Sequence, residues 1–331
     1  MNSKISKAIK YILSFGLAAV LVYFAFREVD WQAFWNSLKC TNWFWIWMSV
    51  IVSLLALLFR QLRWHMMLYP LDDQVRQIDV WDADNIGNLA NIALPGAGEV
   101  ARGALMSSPR AKYDKVFGTI IMERIWDFVA IIALIIIALA LMWDTLGDFF
   151  VNTVVKPAAG NVNFGLGWAV IILVILLAGA IWAMFALREK FVVCDKVACF
   201  IEGMAKGFVG SLKIKRKFLF FVYTAMIWVM YVLTTYFTFL AMPELNHLGI
   251  GDALFLSAIG NFASVIPVPG GIGAYHYLVT ITLTTLYATT WDLGILFATL
   301  THEIHALILI VTGITSYVCW NIRKKKKVEN R

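Results

Sequence analysis

Two histidines flank a glutamate in the last apolar segment, as Thr301-His302-Glu303-Ile304-His305. An imidazole can ligate a metal or carry a proton near neutral pH, and the carboxylate beside it can serve either role. The two histidines are three apart, whereas the helical zinc-protease pattern needs a spacing of four with Glu beside the first. That pattern fails, so no catalytic residue, metal or cofactor is assigned from the sequence. His276 would complete a three-histidine cluster if the fold brought it close. Polar cavity lining, a proton-responsive site and packing histidines remain open readings.

A second set of ionisable residues lies upstream. Glu123, Arg124 and Asp127 fall in the first half of an apolar run, where charge is expensive and usually faces a cavity or an opposite charge. Glu123 and Asp127 are four apart and share a helix face. Arg124 is offset by roughly 100° from Glu123. One carboxylate neutralises Arg124 or another buried base, or the set is a purely structural ion network. Glu99 and Arg102 are three apart and can pair across a helical turn. Alternatively, the Arg102 guanidinium grips an anionic headgroup while Glu99 orients it. Arg60 and Arg63 close the second apolar run beside Trp64, either snorkelling to the interface or touching a headgroup.

The elements that must position these residues are membrane helices. The chain is 61% apolar and 15% charged, against about 45–50% and 25% in soluble domains. Runs at 9–26, 43–59, 117–142, 164–187, 218–242 and 294–320 approach or exceed the roughly 20 residues that cross a bilayer. The first run follows Lys4, Lys7 and Lys10 with no small-residue cleavage site before Arg27, so it reads as a retained helix. Cys40, Cys194, Cys199 and Cys319 show neither metal-like nor paired spacing.

With the amino terminus inside, 24 of 28 Lys and Arg residues fall on the cytoplasmic side, three (Arg27, Lys39, Lys156) outside, and Arg124 within a span. A positive-inside bias thus explains the net charge of +7 and excludes nucleic acid as its reason. Both termini are expected in the cytoplasm of a multi-pass cell-membrane protein. The tail 323–331 and the cluster 213–217 anchor topology or attract anionic headgroups. Residues 189–212 mix apolar and charged residues at helical spacing, predicting a helix along the inner surface.

Two further apolar regions are broken at their centres, 85–105 at Leu94-Pro95-Gly96-Ala97-Gly98-Glu99 and 252–287 at Pro267-Val-Pro269-Gly270-Gly271-Ile272-Gly273. The flanking charges predict re-entrant hairpins, the first from the inside and the second from the outside. A surface turn or a helix kink is the plainer alternative. The expected fold class is an all-α polytopic membrane protein with about six full spans and two such hairpins. The order span, span, hairpin, span occurs twice, at 9–142 and 164–320, separated by an external loop at 143–163. Three spans separate the copies, which makes them an inverted repeat within one membrane domain, 1–322. Gly/Pro-interrupted segments at matching positions of two halves point to a transporter's binding site.

Four motifs in order resemble one known family: Arg60-Gln-Leu-Arg63-Trp64, NIALPGAGEVAR at 91–102, Glu123-Arg124 with Asp127, and PVPGGIG at 267–273. The chain resembles, over residues 8–322, the transmembrane region of lysylphosphatidylglycerol synthases, also described as flippase-like membrane proteins. The resemblance implies a module that moves polar lipids between leaflets, in some members beside glycosyltransferases. It maps Glu99 and Arg102 onto the family's Gly-Glu-Arg motif and Glu123-Arg124 onto its third-span pair. His276 stands where the family often has Glu, which changes the charge opposite the cavity. The soluble aminoacyl-transferase domain has no counterpart in this sequence, so synthase activity is not expected.

The leading expectation is therefore a translocase for an anionic or lipid-linked lipid. Its substrate site would draw on Arg60, Arg63, Asn91, Pro95, Gly96, Gly98, Glu99, Arg102, Glu123, Arg124 and Asp127. From the second half it would add Pro269, Gly270, Gly271, Gly273, His276, His302, Glu303 and His305. The alternatives are a membrane-embedded lipid-modifying enzyme and a nonenzymatic partner of a lipid-modifying or glycosyl-transfer enzyme. No nucleotide-binding loop is present, so movement would be passive, ion-coupled or driven by a partner.

Overall fold

A computed structural model describes residues 3–143, 216–263, 266 and 268–329. The expected span 164–187, the surface helix 189–212 and all but the first residue of the loop 143–163 lie outside the described residues. Among the described residues the chain is helical throughout, with α1 Ser3–Phe26, α2 Trp31–Cys40, α3 Trp43–Leu68, α4 Gln77–Ala93 and α5 Ala97–Met106. There follow α6 Tyr113–Leu141, α7 Lys217–Ala241, α8 Ile250–Phe262, α9 Ala274–Tyr287 and α10 Trp291–Glu329.

The helices α3, α6, α7 and α10 are each long and apolar enough to cross a membrane, and apolar stretches of α1 and α8 are shorter. Large apolar side chains such as Trp47, Phe218, Leu307 and Val311 lie on exposed faces of the long helices, as hydrocarbon contact requires and water does not tolerate at this scale. Polar side chains set several starts. Asp30 accepts from the Gln32 and Ala33 amides at the head of α2, and Asn42 accepts from Phe44 N at 3.1 Å at the head of α3. The latter cap also ties α3 to the end of α7, because Asn42 N donates to the Ala241 carbonyl at 2.7 Å.

The sequence placed the end of the second span at residue 59. Instead α3 continues to Leu68, so Arg60 and Arg63 lie inside a helix that packs on α6. The interfacial snorkelling reading does not hold for them. Likewise α10 remains helical through Glu329, and Arg323, expected in a free basic tail, is ion-paired with Asp82 of α4.

The packing scheme is regular. Helices α3 and α7 run against each other, α4 packs on α10, and α8 packs on α6. Each broken region is a helix, a Pro-Gly turn and a second helix: α4 and α5 in one case, α8 and α9 in the other. Leu94 is extended (φ −143°, ψ 120°), as a residue before proline prefers, and Gly96 has φ +82°. Asn91 staples this turn, accepting from Gly98 N at 2.7 Å and donating from Nδ2 to Glu99 Oε1 at 3.3 Å. The second turn, Pro269–Gly271, lies against α1 and α4. Its two glycines, Gly270 and Gly271, and Gly273 just after it have positive φ.

The close crossing of α4 and α5 needs glycine. A Cβ on Gly98 would collide with the Gly87 carbonyl and come within 2.5 Å of the Asn91 side chain. Gly118, in α6, has nothing within 4 Å of that position. Gly98→Ala is expected to lower stability by about 1–3 kcal/mol through overpacking. Gly118→Ala should be neutral or gain up to about 1 kcal/mol. Unfolding of both variants in detergent micelles checks the contrast.

Candidate functional site

Behind the α4–α5 turn, three arginines meet three carboxylates. From α3, Arg60 Nε donates to Glu123 Oε1 at 2.8 Å and Arg63 Nη2 to Asp127 Oδ1 at 2.7 Å. From α5, Arg102 Nη2 donates to Glu123 Oε2 at 2.5 Å and lies 3.2 Å from Asp84 Oδ1 on α4. Glu123 and Arg63 are 0% exposed and Arg102 is 1% exposed. The Arg102 guanidinium also covers the Trp64 ring at 4.0 Å, and that indole donates to Thr119 Oγ1 at 3.0 Å. Charges removed from water survive only when paired and hydrogen-bonded. Here three positive and three negative groups balance.

A separate pair stands nearer the turn. Arg124 Nη2 donates to Glu99 Oε1 at 2.8 Å, and both side chains retain partial exposure. Both reach the wall of a cavity of about 940 Å³. Arg60 and Asp127 form part of the same wall, as do Asn91, Pro95 and Gly96 of the first turn. The lining also includes Gly270 and Gly271 of the second turn, with Tyr275, His302 and His305, and Ser53, Trp228, Tyr231, Thr234 and Ser257, a mixture of aromatic faces and hydroxyls.

At the second turn, His302 Nε2 contacts the Gly270 carbonyl at 2.9 Å and Nδ1 contacts Glu303 Oε1 at 3.0 Å. His276 Nε2 is 3.6 Å from the same carboxylate oxygen. Helix α10 thereby holds the turn by its backbone.

A model described as lysylphosphatidylglycerol synthase TM region matches residues 11–313. The chain belongs to that family. A curated relative is the glycosyltransferase AglD of Haloferax volcanii, 25% identical over 272 residues, covering 74% of this chain and 44% of that protein. The chain thus spans less than half the length of that relative. No solved structure matches.

In this family member the sequence-nominated residues divide into two tiers. Arg60, Asn91, Pro95, Gly96, Glu99, Arg124 and Asp127 reach the cavity, whereas Arg63, Arg102 and Glu123 lie buried behind it. Of the two open readings of Glu99 and Arg102, the direct pair is not formed, because Arg124 takes Glu99 and Arg102 turns to Glu123 and Asp84. In the second half, Gly270, Gly271, His302 and His305 reach the wall, with Pro269, Gly273, His276 and Glu303 clustered around the turn. His276 does meet His302, but Glu303 rather than His305 completes the group. Sequence reasoning missed Asp84. Its signal was a run of polar residues on α4, with Asp84 and Asn88, both buried, four apart and the half-buried Asn91 three further on, which an apolar environment would not otherwise accept.

Removing the central carboxylate takes a charged partner from Arg60 and from Arg102. Glu123→Gln is expected to cost about 3–5 kcal/mol, whereas Glu99→Gln, at the partly exposed pair, should cost about 1 kcal/mol or less. Denaturant unfolding of the two variants in the same micelle compares them directly.

Proposed function

We propose that the protein is a lipid translocase whose cavity receives the polar headgroup of an anionic or lipid-linked lipid while the acyl chains remain in the bilayer. The observation that carries this reading is the cavity itself. Both Pro-Gly turns contribute to it, and a broken backbone at membrane depth is tolerated only against protein or a wet cavity. The volume of about 940 Å³ is at the upper end of the range for small-molecule sites, about 300–1,000 Å³. Arg124 presents a guanidinium fork suited to phosphate, and its pairing with Glu99 can open to admit an oxyanion. The hydroxyls of Ser53, Thr234 and Ser257 suit sugar or glycerol oxygens.

In this reading each turn is the tip of a re-entrant hairpin, and residues 9–142 and 164–320 form an inverted repeat in one membrane domain. The packing scheme supports it. Exchanging α3 with α7, α4 with α8, α5 with α9 and α6 with α10 turns the pair α4–α10 into α8–α6 and α3–α6 into α7–α10, all of which are in contact. Both termini lie in the cytoplasm of a multi-pass cell-membrane protein, on the side where basic residues are attracted to anionic headgroups.

The name of the Haloferax relative favours a second reading, a nonenzymatic membrane partner that anchors a glycosyl-transfer enzyme and holds no lipid headgroup itself. The same experiment separates the two. Lipids retained by protein purified in mild detergent are identified for the wild type, Arg124→Ala and Glu99→Gln. The translocase reading expects several-fold enrichment of one anionic or lipid-linked class, lost in both variants. Bulk lipid in unchanged proportions in all three would overturn it and leave the partner reading.

A further inference from the structure

We infer that His276, His302 and Glu303 form a divalent metal site of the zinc class, at the base of the second Pro-Gly turn. The argument starts from donor and acceptor accounting. The Gly270 carbonyl can only accept, so the Nε2 atom that meets it at 2.9 Å must carry the ring proton. The Nδ1 atom of a neutral His302 is then a lone pair, and it lies 3.0 Å from a carboxylate oxygen. Two lone pairs at that distance repel unless a cation lies between them.

A third donor shows which cation fits. His276, on α9, brings Nε2 to 3.6 Å from the same Glu303 oxygen. Its ring is 2% exposed, and its Nδ1 has no hydrogen-bond partner among the described residues. A proton joins two groups, whereas here three converge, with ligand atoms all within 4.8 Å of one another. Two imidazoles and a carboxylate form a recurrent zinc donor set, and zinc bonds of about 2.0–2.2 Å place tetrahedral neighbours roughly 3.3–3.5 Å apart. The two nitrogen-to-oxygen separations, 3.0 and 3.6 Å, bracket that edge. A ligating histidine characteristically donates its other N–H to a backbone carbonyl, which fixes the tautomer. Gly270 supplies that carbonyl, so the ion would also lock the turn to α10. Glu303 is half-exposed, leaving room for a water in the fourth position.

The other titratable and charged groups nearby leave the set intact. His305 points to the cavity wall, and Tyr275 spends its hydroxyl on Thr301 at 3.0 Å. Arg60, the charged group facing His305 from α3, is held by Glu123. On the translocase reading the ion has a consequence for substrate. Arg60, Arg63, Arg102 and Arg124 are each paired with a carboxylate. A divalent ion with one carboxylate ligand adds a net positive charge behind His302, which forms part of the cavity wall, and so favours a phosphate there.

The protein, stripped with chelator in detergent, is titrated with Zn2+ calorimetrically, and its zinc content is measured after desalting. We expect one zinc per chain in the wild type and in His305→Ala, loss of it in His276→Ala and in His302→Ala, and at least tenfold weaker binding in Glu303→Gln. X-ray absorption of the wild type should report nitrogen and oxygen ligands at about 2.0–2.2 Å. Failure of the wild type to take up zinc overturns the site, as does uptake unaffected by either histidine substitution. A pH titration showing only a proton held between His302 and Glu303 also overturns it. Zinc uptake is read without lipid, so a protein that retains lipid selectively but binds no zinc loses the metal site alone.

Discussion

Glu123 organises the first half of the molecule. Its two oxygens receive guanidinium groups from α3 and α5, so a single buried carboxylate joins three helices that apolar packing would leave free to slide. Ion pairs at such depth repay desolvation only with good geometry and full pairing. The network also recruits Asp84 and Asp127, and Arg102 stacks on Trp64. Because these charges are spent on one another, they fix the position of the α4–α5 turn rather than offer themselves to a ligand. The wall pair Arg124 and Glu99, one step outward, keeps partial exposure.

The second turn is held differently. In place of an arginine network, a histidine of α10 grips the Gly270 carbonyl, while Ile92, near the end of α4, approaches Gly270. The second turn therefore rests on α4, the helix that leads into the first turn. On the translocase reading, a movement that admits a headgroup on one side is transmitted across that contact. A cavity walled by two such tips can in principle be opened from either end, which is the geometric requirement of alternating access.

Much of this was legible in the sequence because hydrocarbon makes polar residues conspicuous. Glu123, Arg124 and Asp127 stood out within an apolar run, and the Pro-Gly clusters marked both turns before any coordinates. The partners were not legible. Arg102 and Arg124 both follow Glu99, and helical spacing favours the nearer pair. What decides is the close crossing at Gly87 and Gly98, which sends the Arg102 side chain across α4 toward Asp84 and Glu123. The end of α3 was misplaced for a related reason: Arg60 and Arg63 look like interfacial residues until α6 supplies their carboxylates. The meeting of His276 with His302 depends on how α9 and α10 pack, and local spacing carries no trace of it.

The central claim is that the cavity passes a lipid headgroup across the bilayer. Its most direct test is leaflet exchange in reconstituted vesicles carrying a trace of headgroup-labelled anionic lipid, with a membrane-impermeant quencher added outside. Quenching beyond the outer-leaflet share in vesicles with wild-type protein, falling toward the protein-free level when Glu99 and Arg124 are both replaced by alanine, is the predicted result. Quenching equal to that of protein-free vesicles, with folded protein and with both anionic and lipid-linked probes tried, would contradict it.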